Sequence, residues 1–194
     1  LATPKDDVIL SSSNGKCLRF PLEKLRLTSG LNSTGVKGIK LEKNNFIISQ
    51  TILKHSYIDI NIRKEYLTSA SANRKNASSL KNEFEELSKN EEFLLSITTK
   101  GFGKRSSAYE YRISNRAGKG ITGIITTKKN GNVIDCFVVN EDDQIILVSD
   151  KGQIIRVNIK QIRIAGRSTK GVSIFKIPET DNIVSVSRIQ EIEN

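Results

Sequence analysis

The chain has 194 residues, with 31 Lys and Arg against 21 Asp and Glu, a formal net charge of +10, one His, two Cys, and neither Met nor Trp. That length suits one domain or a set of small repeated units, and no apolar stretch approaches the roughly 20 residues needed to span a membrane. A single His removes most His-dependent catalysis and metal chemistry, and Cys17 and Cys136, isolated and without CxxC spacing, suggest neither a zinc site nor a disulfide framework.

The chain opens Leu1-Ala2-Thr3-Pro4 and is read as a piece of a longer protein. A first unit, residues 1–53, begins with the apolar run Val8-Ile9-Leu10 and the turn residues Ser13-Asn14-Gly15. Arg19 follows Gly15 by four positions, a new strand-like run starts at Gly35-Val36, and Phe46-Ile47-Ile48 closes the unit. Residues 54–92 then change character. They are polar, hold seven basic and seven acidic residues, and space Leu80, Phe84 and Leu87 at i, i+4, i+7, which predicts an amphipathic helix. Ile62 and Tyr66 predict a shorter helical piece before it.

The first pattern resumes in residues 93–140, with Phe93-Leu94-Leu95, then Gly101 and Arg105, then Gly120-Ile121, then the run from Val133 to Val139. It recurs in residues 141–194, with Ile145-Ile146-Leu147-Val148, then Gly152 and Arg156, then Gly171-Val172, then Ile183 to Val186. Gly101 to Gly152 is 51 residues, and so is Gly120 to Gly171. Gly15 to Gly101 is 86, an excess of 35 that matches the length of the charged stretch. Apolar spacing of two, turn residues such as Asn-Gly, and four short runs per 50-residue unit predict an all-β, propeller-like array of blades interrupted by a small helical insertion. Three blades do not close a ring, so the chain is expected to be an arc of a larger disc with open faces or strand edges, prone to self-association.

The charge is uneven. Residues 1–53 are net +4, 54–92 neutral, 93–140 net +6 and 141–194 neutral. Within each unit the basic residues gather on the connection between the second and third runs. These are Lys24 and Arg26 in the first, with Lys37 and Lys40 just after it, Arg112, Arg116 and Lys119 in the second, and Lys160, Arg163, Arg167 and Lys170 in the third. Lys104 and the frame residues Arg19, Arg105 and Arg156 add to them. A repeat puts equivalent positions in equivalent places, so these residues predict a curved basic stripe suited to a bent polyanion such as duplex DNA. Aromatic content is 6%, and Tyr109 and Tyr111 read as half-buried strand residues. That argues against single-strand binding, which uses stacking aromatics, and for duplex backbone contact without sequence readout. Catalytic motifs are lacking: Gly118-Lys119-Gly120 has neither the first Gly of a phosphate loop nor its Ser or Thr, and no nucleophile stands with a base. The chain alone is not expected to be an enzyme.

The runs Gly101-Phe102-Gly103-Lys104-Arg105, Ser114-Asn115-Arg116-Ala117-Gly118-Lys119-Gly120, Gly166-Arg167-Ser168-Thr169-Lys170-Gly171-Val172 and Asn32-Ser33-Thr34-Gly35-Val36-Lys37-Gly38 resemble the C-terminal domain family of the bacterial DNA gyrase A subunit. The likeness covers all three repeats and omits the insertion. It implies a six-bladed β-pinwheel, of which these would be the last three blades. That disc wraps duplex DNA on its basic rim to support ATP-dependent negative supercoiling by the whole topoisomerase, in the bacterial cytoplasm at the nucleoid. The partners implied are the B subunit of gyrase and the rest of its A subunit. ATP and Mg are implied only elsewhere in that enzyme, with no cofactor in this piece. The family's Gln-Arg-Arg-Gly-Gly-Lys-Gly box is absent, and Ser114 to Gly120 is a degenerate echo that keeps Arg116, Gly118, Lys119 and Gly120. The related topoisomerase IV domain, and a propeller-like module with an acidic protein partner, are the alternative readings.

Overall fold

The computed structural model describes residues 2–26, 32–76 and 81–189. Eleven strands and two helices follow in chain order among them. The first unit holds β1 (Asp6–Ser12), β2 (Lys16–Pro21) and β3 (Ile47–Lys54). The helices α1 (Ile60–Asn76) and α2 (Glu85–Lys89) come next. The second unit holds β4 (Phe93–Thr98), β5 (Phe102–Ser107), β6 (Ile121–Thr122) and β7 (Val133–Val139). The third holds β8 (Gln144–Ser149), β9 (Ile154–Asn158), β10 (Val172–Ser173) and β11 (Ile183–Ile189).

Each unit opens with a tight antiparallel hairpin, β1–β2, β4–β5 and β8–β9, and its last strand returns to pair with the first. The ladder slips by one residue at the same place in all three, at Ser11/Ser12, Ile97/Thr98 and Ile183/Ser185. The third strand does not stay in its own unit. The two-residue β6 of the second unit pairs with β2, and β10 of the third pairs with β5, giving sheets ordered β3-β1-β2-β6, β10-β5-β4-β7 and β11-β8-β9. The second and third units thus reach back to complete the blade before them. This corrects the expectation of four strands of one unit per blade. Gly120 and Gly171 permit the exchange. Their φ values are +74° and +76°, and a Cβ there would stand 2.7 Å from Cys17 O and 2.8 Å from Gly103 O. At Gly35, the equivalent in the first unit, nothing lies within 4 Å.

The blades stack through their strand faces. Neighbouring residues of β4 point opposite ways, Leu94 toward Ile9 and Leu53 of the first blade and Leu95 and Ile97 toward Ile145 and Leu147 of the third. The middle strand is therefore buried on both faces, whereas β9 alternates between half-buried and exposed. Among the described residues β9 has β8 on one side and no strand on the other, so the expected open edge is β9. Cys17 and Cys136, 119 positions apart, meet in the buried layer between the first two blades. Their mutual hydrogen bond and burial hold the Cys17 thiol well above its usual range.

The segment between β3 and β4 reverses the expected helix lengths. α1 is the long helix with 17 residues, and α2 has five. Leu80 lies outside the described residues, and Phe84 is buried in a short turn ahead of α2. Asp59 starts α1, its Oδ1 accepting the Asn61 N–H at 2.8 Å. The helix buries only a narrow stripe, Tyr66 and Ala70, against Phe84 and Tyr109, with Leu67 packed beside them. Tyr109 belongs to the second unit, and its hydroxyl donates to Leu87 O at 3.1 Å. The insertion is therefore anchored on the blades by an aromatic cluster. His55 is held too, its Nδ1 standing 2.5 Å from Oδ1 of the buried Asp7.

Candidate nucleic-acid interface

The frame arginines are the first correction. Arg19 is 4% exposed, and its guanidinium donates to Asp7 Oδ2 at 2.7 Å, Ala108 O at 3.0 Å and Lys54 O at 2.9 Å. Arg105, 5% exposed, donates to Ile162 O at 2.7 Å and faces Glu141 Oε1 at 3.4 Å. Ala108 and Ile162 occupy the connection of the following unit, so each arginine staples its blade to the next. Lys104 is buried outright, its ammonium donating to Gly166 O and Arg167 O at 2.6 Å each and to Thr169 Oγ1 at 3.2 Å. Burial pulls it down to about 8. Arg19, Lys104 and Arg105 are thus removed from the expected DNA-contacting set, because their donors are consumed inside the fold. Tyr109 and Tyr111 are buried rather than half-buried.

Arg156 occupies the same frame position on β9 and is exposed, its Nε donating to Gln144 Oε1. The other expected residues lie on the connections. Lys37, Lys40, Arg112, Arg116, Lys119, Lys160, Arg163 and Lys170 are exposed, and Arg167 is half-buried. Lys160 pairs with Asp142 at 2.5 Å, both side chains open to solvent.

The strand exchange brings basic residues of successive units together. Residues 37–40 of the first unit lie along 116–118 of the second, with Lys40 N–H donating to Gly118 O and Ala117 N–H to Gly38 O. Arg116 Nη1 donates to Lys37 O at 3.3 Å, and Lys24 Nζ to Asn115 Oδ1 at 3.2 Å. Lys24, Lys37, Lys40, Arg116 and Lys119 therefore share one neighbourhood. The next junction repeats the device. Ile125 N–H donates to Thr169 O, Arg167 Nη1 to Thr122 O at 2.9 Å, and the Arg167 N–H to Glu110 Oε2 at 2.7 Å. The connections dock alike as well, Ser114 N–H on Arg19 O and Ala165 N–H on Arg105 O.

The helix α1 runs beside all three connections. One groove holds Arg63 with Lys24 and Arg112, a second holds Arg63 and Lys64 with Arg167, and a third holds Ser71 and Arg74 with Lys160 and Arg163. Basic residues of three units therefore line grooves along α1. Sequence reasoning did not place Arg63 or Lys64 there, since the insertion sums to neutral. Among the described residues no group of three or more His, Cys, Asp or Glu is placed to hold a metal. No described helix is long and apolar enough to cross a membrane.

A sequence profile described as the DNA gyrase C-terminal domain, β-propeller, matches residues 6–49, 92–140 and 143–190, passing over the insertion. Relatives include the DNA gyrase A subunit of Granulibacter bethesdensis, 37% identical over 216 residues, covering 97% of this chain and 23% of that protein. The Rickettsia typhi subunit is 38% identical over 203 residues, covering 96% and 22%. The Escherichia coli subunit is 29% identical over 191 residues, covering 98% and 18%. The chain thus spans about a fifth of the length of these relatives. Among solved structures, the C-terminal domain of DNA topoisomerase IV superposes with a TM-score of 0.72 at 19% identity, covering 96% of this chain and 47% of that one. The DNA gyrase A C-terminal domain superposes at 0.51 and 21%, covering 97% and 67%.

Proposed function

This chain belongs to the DNA gyrase C-terminal domain family, and from that membership we propose that it binds duplex DNA without reading its sequence and bends it along the connection loops. The observation that carries the reading is the recurrence of Arg112, Arg116 and Lys119 as Arg163, Arg167 and Lys170, all exposed except the half-buried Arg167, with Lys37 and Lys40 exposed beside Arg116 and Lys119, whereas Arg19, Lys104 and Arg105 are buried.

The physics is that of a polyelectrolyte. Each phosphate met by a Lys or Arg releases condensed counterions, so affinity comes from contact number and falls with salt. Backbone contacts position a duplex but do not read it, and Tyr109 and Tyr111, being buried, are not free to stack on bases. Bending 20–30 base pairs by 40–90° costs of order 1–6 kcal/mol, which several contacts from successive blades offset. Arginines on equivalent connections hold the path at each blade, so the curvature of the array sets the curvature of the DNA.

In the whole enzyme the bent segment serves ATP-dependent negative supercoiling by gyrase, its partners being the B subunit of gyrase and the rest of the A subunit. ATP and Mg are used there, outside this chain, and the setting is the bacterial cytoplasm at the nucleoid. The relatives at 37–38% identity are gyrase A subunits, which favours gyrase over topoisomerase IV. The topoisomerase IV structure, at 19% identity, speaks to the fold alone.

Salt titration of duplex binding tests the reading. Log K for random-sequence duplex is expected to fall steeply and linearly with log salt, and to be the same for unrelated sequences. Weak, salt-insensitive binding to DNA beside tight binding to an acidic protein would instead support an interaction module.

A further inference from the structure

The insertion is neutral only in sum. α1 carries Arg63, Lys64, Arg74 and Lys75 against Glu65, a net +3, while residues 81–92 carry two Lys against five Glu. The acids are largely committed within the insertion. Glu91 Oε2 accepts from Tyr66 OH and Arg74, Glu65 and Glu83 hold Lys81, and Glu85 faces Lys89. Glu92 accepts the Lys54 N–H at 2.9 Å. Among the described residues Arg63 and Lys64 pair with no carboxylate.

These two residues share grooves with basic residues of the connections: Arg63 with Lys24 and Arg112, and both with Arg167. The carboxylates facing the same grooves are Glu23 and Glu110, and Glu110 already accepts the Arg167 N–H. Like charges are thus held close by apolar packing of Tyr66, Ala70, Phe84 and Tyr109 on the blades. Such proximity is unfavourable unless an anion lies across both elements. A helix that shielded the connections would need the opposite sign.

We propose that α1 extends the duplex path, with Arg63 and Lys64 taking phosphates alongside the Arg112 and Arg167 connections. This rests on the duplex-binding reading above and adds to it a contact surface outside the repeats. The ordinary alternative is a solvated helix face that takes no part in binding.

The test compares Arg63→Ala/Lys64→Ala with Arg116→Ala/Lys119→Ala in the full chain, as duplex affinity against salt. Each pair is expected to lower the slope of log K by about two and to weaken binding roughly tenfold at low salt. Lys64→Glu, at an exposed position, probes the same contact without disturbing the packed side of α1, and is expected to weaken binding as well. A normal slope in the Arg63/Lys64 variant, with loss in the Arg116/Lys119 variant, overturns the proposal and leaves the duplex reading standing. Loss in neither overturns the duplex reading and the proposal together. Tighter binding on changing Arg63 and Lys64 makes α1 a shield and also overturns the proposal.

Discussion

Arg19, Arg105 and Arg156 fill one frame position three times, and their environments differ with what stands beside them. Where a following unit is present, the guanidinium fork reaches two elements at once, a geometry that a Lys point charge does not reproduce. Arg19 also neutralises Asp7, which is wholly buried. Lys104 is a related case, holding the loop that carries Arg167. Its folded pKa of about 8 lies below the ordinary 10.5. Between those values the unfolded chain binds more protons than the folded one, so this residue makes stability rise with pH through that window. Lys104→Met is expected to cost about 1–3 kcal/mol near neutrality, by taking the ammonium donor from Arg167 O and leaving Gly166 O with Thr169 Oγ1. It should also lack the alkaline gain. Urea midpoints of both proteins between about pH 8 and pH 10 check this, and parallel pH trends would count against it.

At the scale of elements, the insertion is both separable and anchored. Its ends already meet, since Lys54 N–H donates to Glu92 Oε2. A short Gly/Ser link in place of residues 57–91 is therefore expected to leave a single cooperative transition. It should lower Tm by about 4–8 °C, because Tyr109 loses its cover, worth about 2 kcal/mol. Loss of the transition would make the insertion part of the core. What the sequence made legible follows from periodicity. The 51-residue frame, the hairpin turns and the interruption were readable because strand runs of six or seven residues recur in the same order and glycines mark the turns. The exchange of β6 and β10 was not, because two residues have no period and their pairing with β2 and β5 is a long-range choice. α1 was underestimated because its buried stripe is mostly Tyr66, Leu67 and Ala70 amid Ser, Thr and Asn, though Asp59 marked its start. The basic connections were readable from recurrence. The burial of Arg19, Lys104 and Arg105 was not, since charge says nothing about which side of a strand faces a neighbouring blade.

The whole molecule is a directional array. The second and third units each lend a strand backward and receive an arginine staple from the unit before, so the fourth strand of a blade comes from the unit that follows it. The edge of β9, with Ile154 69% exposed, is an acceptor of the kind that β2 and β5 present to β6 and β10. Copies of this chain are expected to associate through it at high concentration, and Ile154→Lys to suppress that association in sedimentation velocity. An equal mass distribution for both proteins would argue against that edge.

The same directionality places the connections in register and makes the basic path a property of the array. The most direct test is the salt dependence of duplex binding for Arg116→Ala/Lys119→Ala beside Lys81→Ala/Lys89→Ala. Both variants lose two positive charges, but Lys81 and Lys89 sit among the glutamates of the insertion. The account predicts that the first lowers the slope of log K against log salt by about two, for every duplex sequence alike, and that the second leaves it unchanged. Equal losses in the two would contradict it, reducing the interaction to attraction between DNA and a protein of net charge +10.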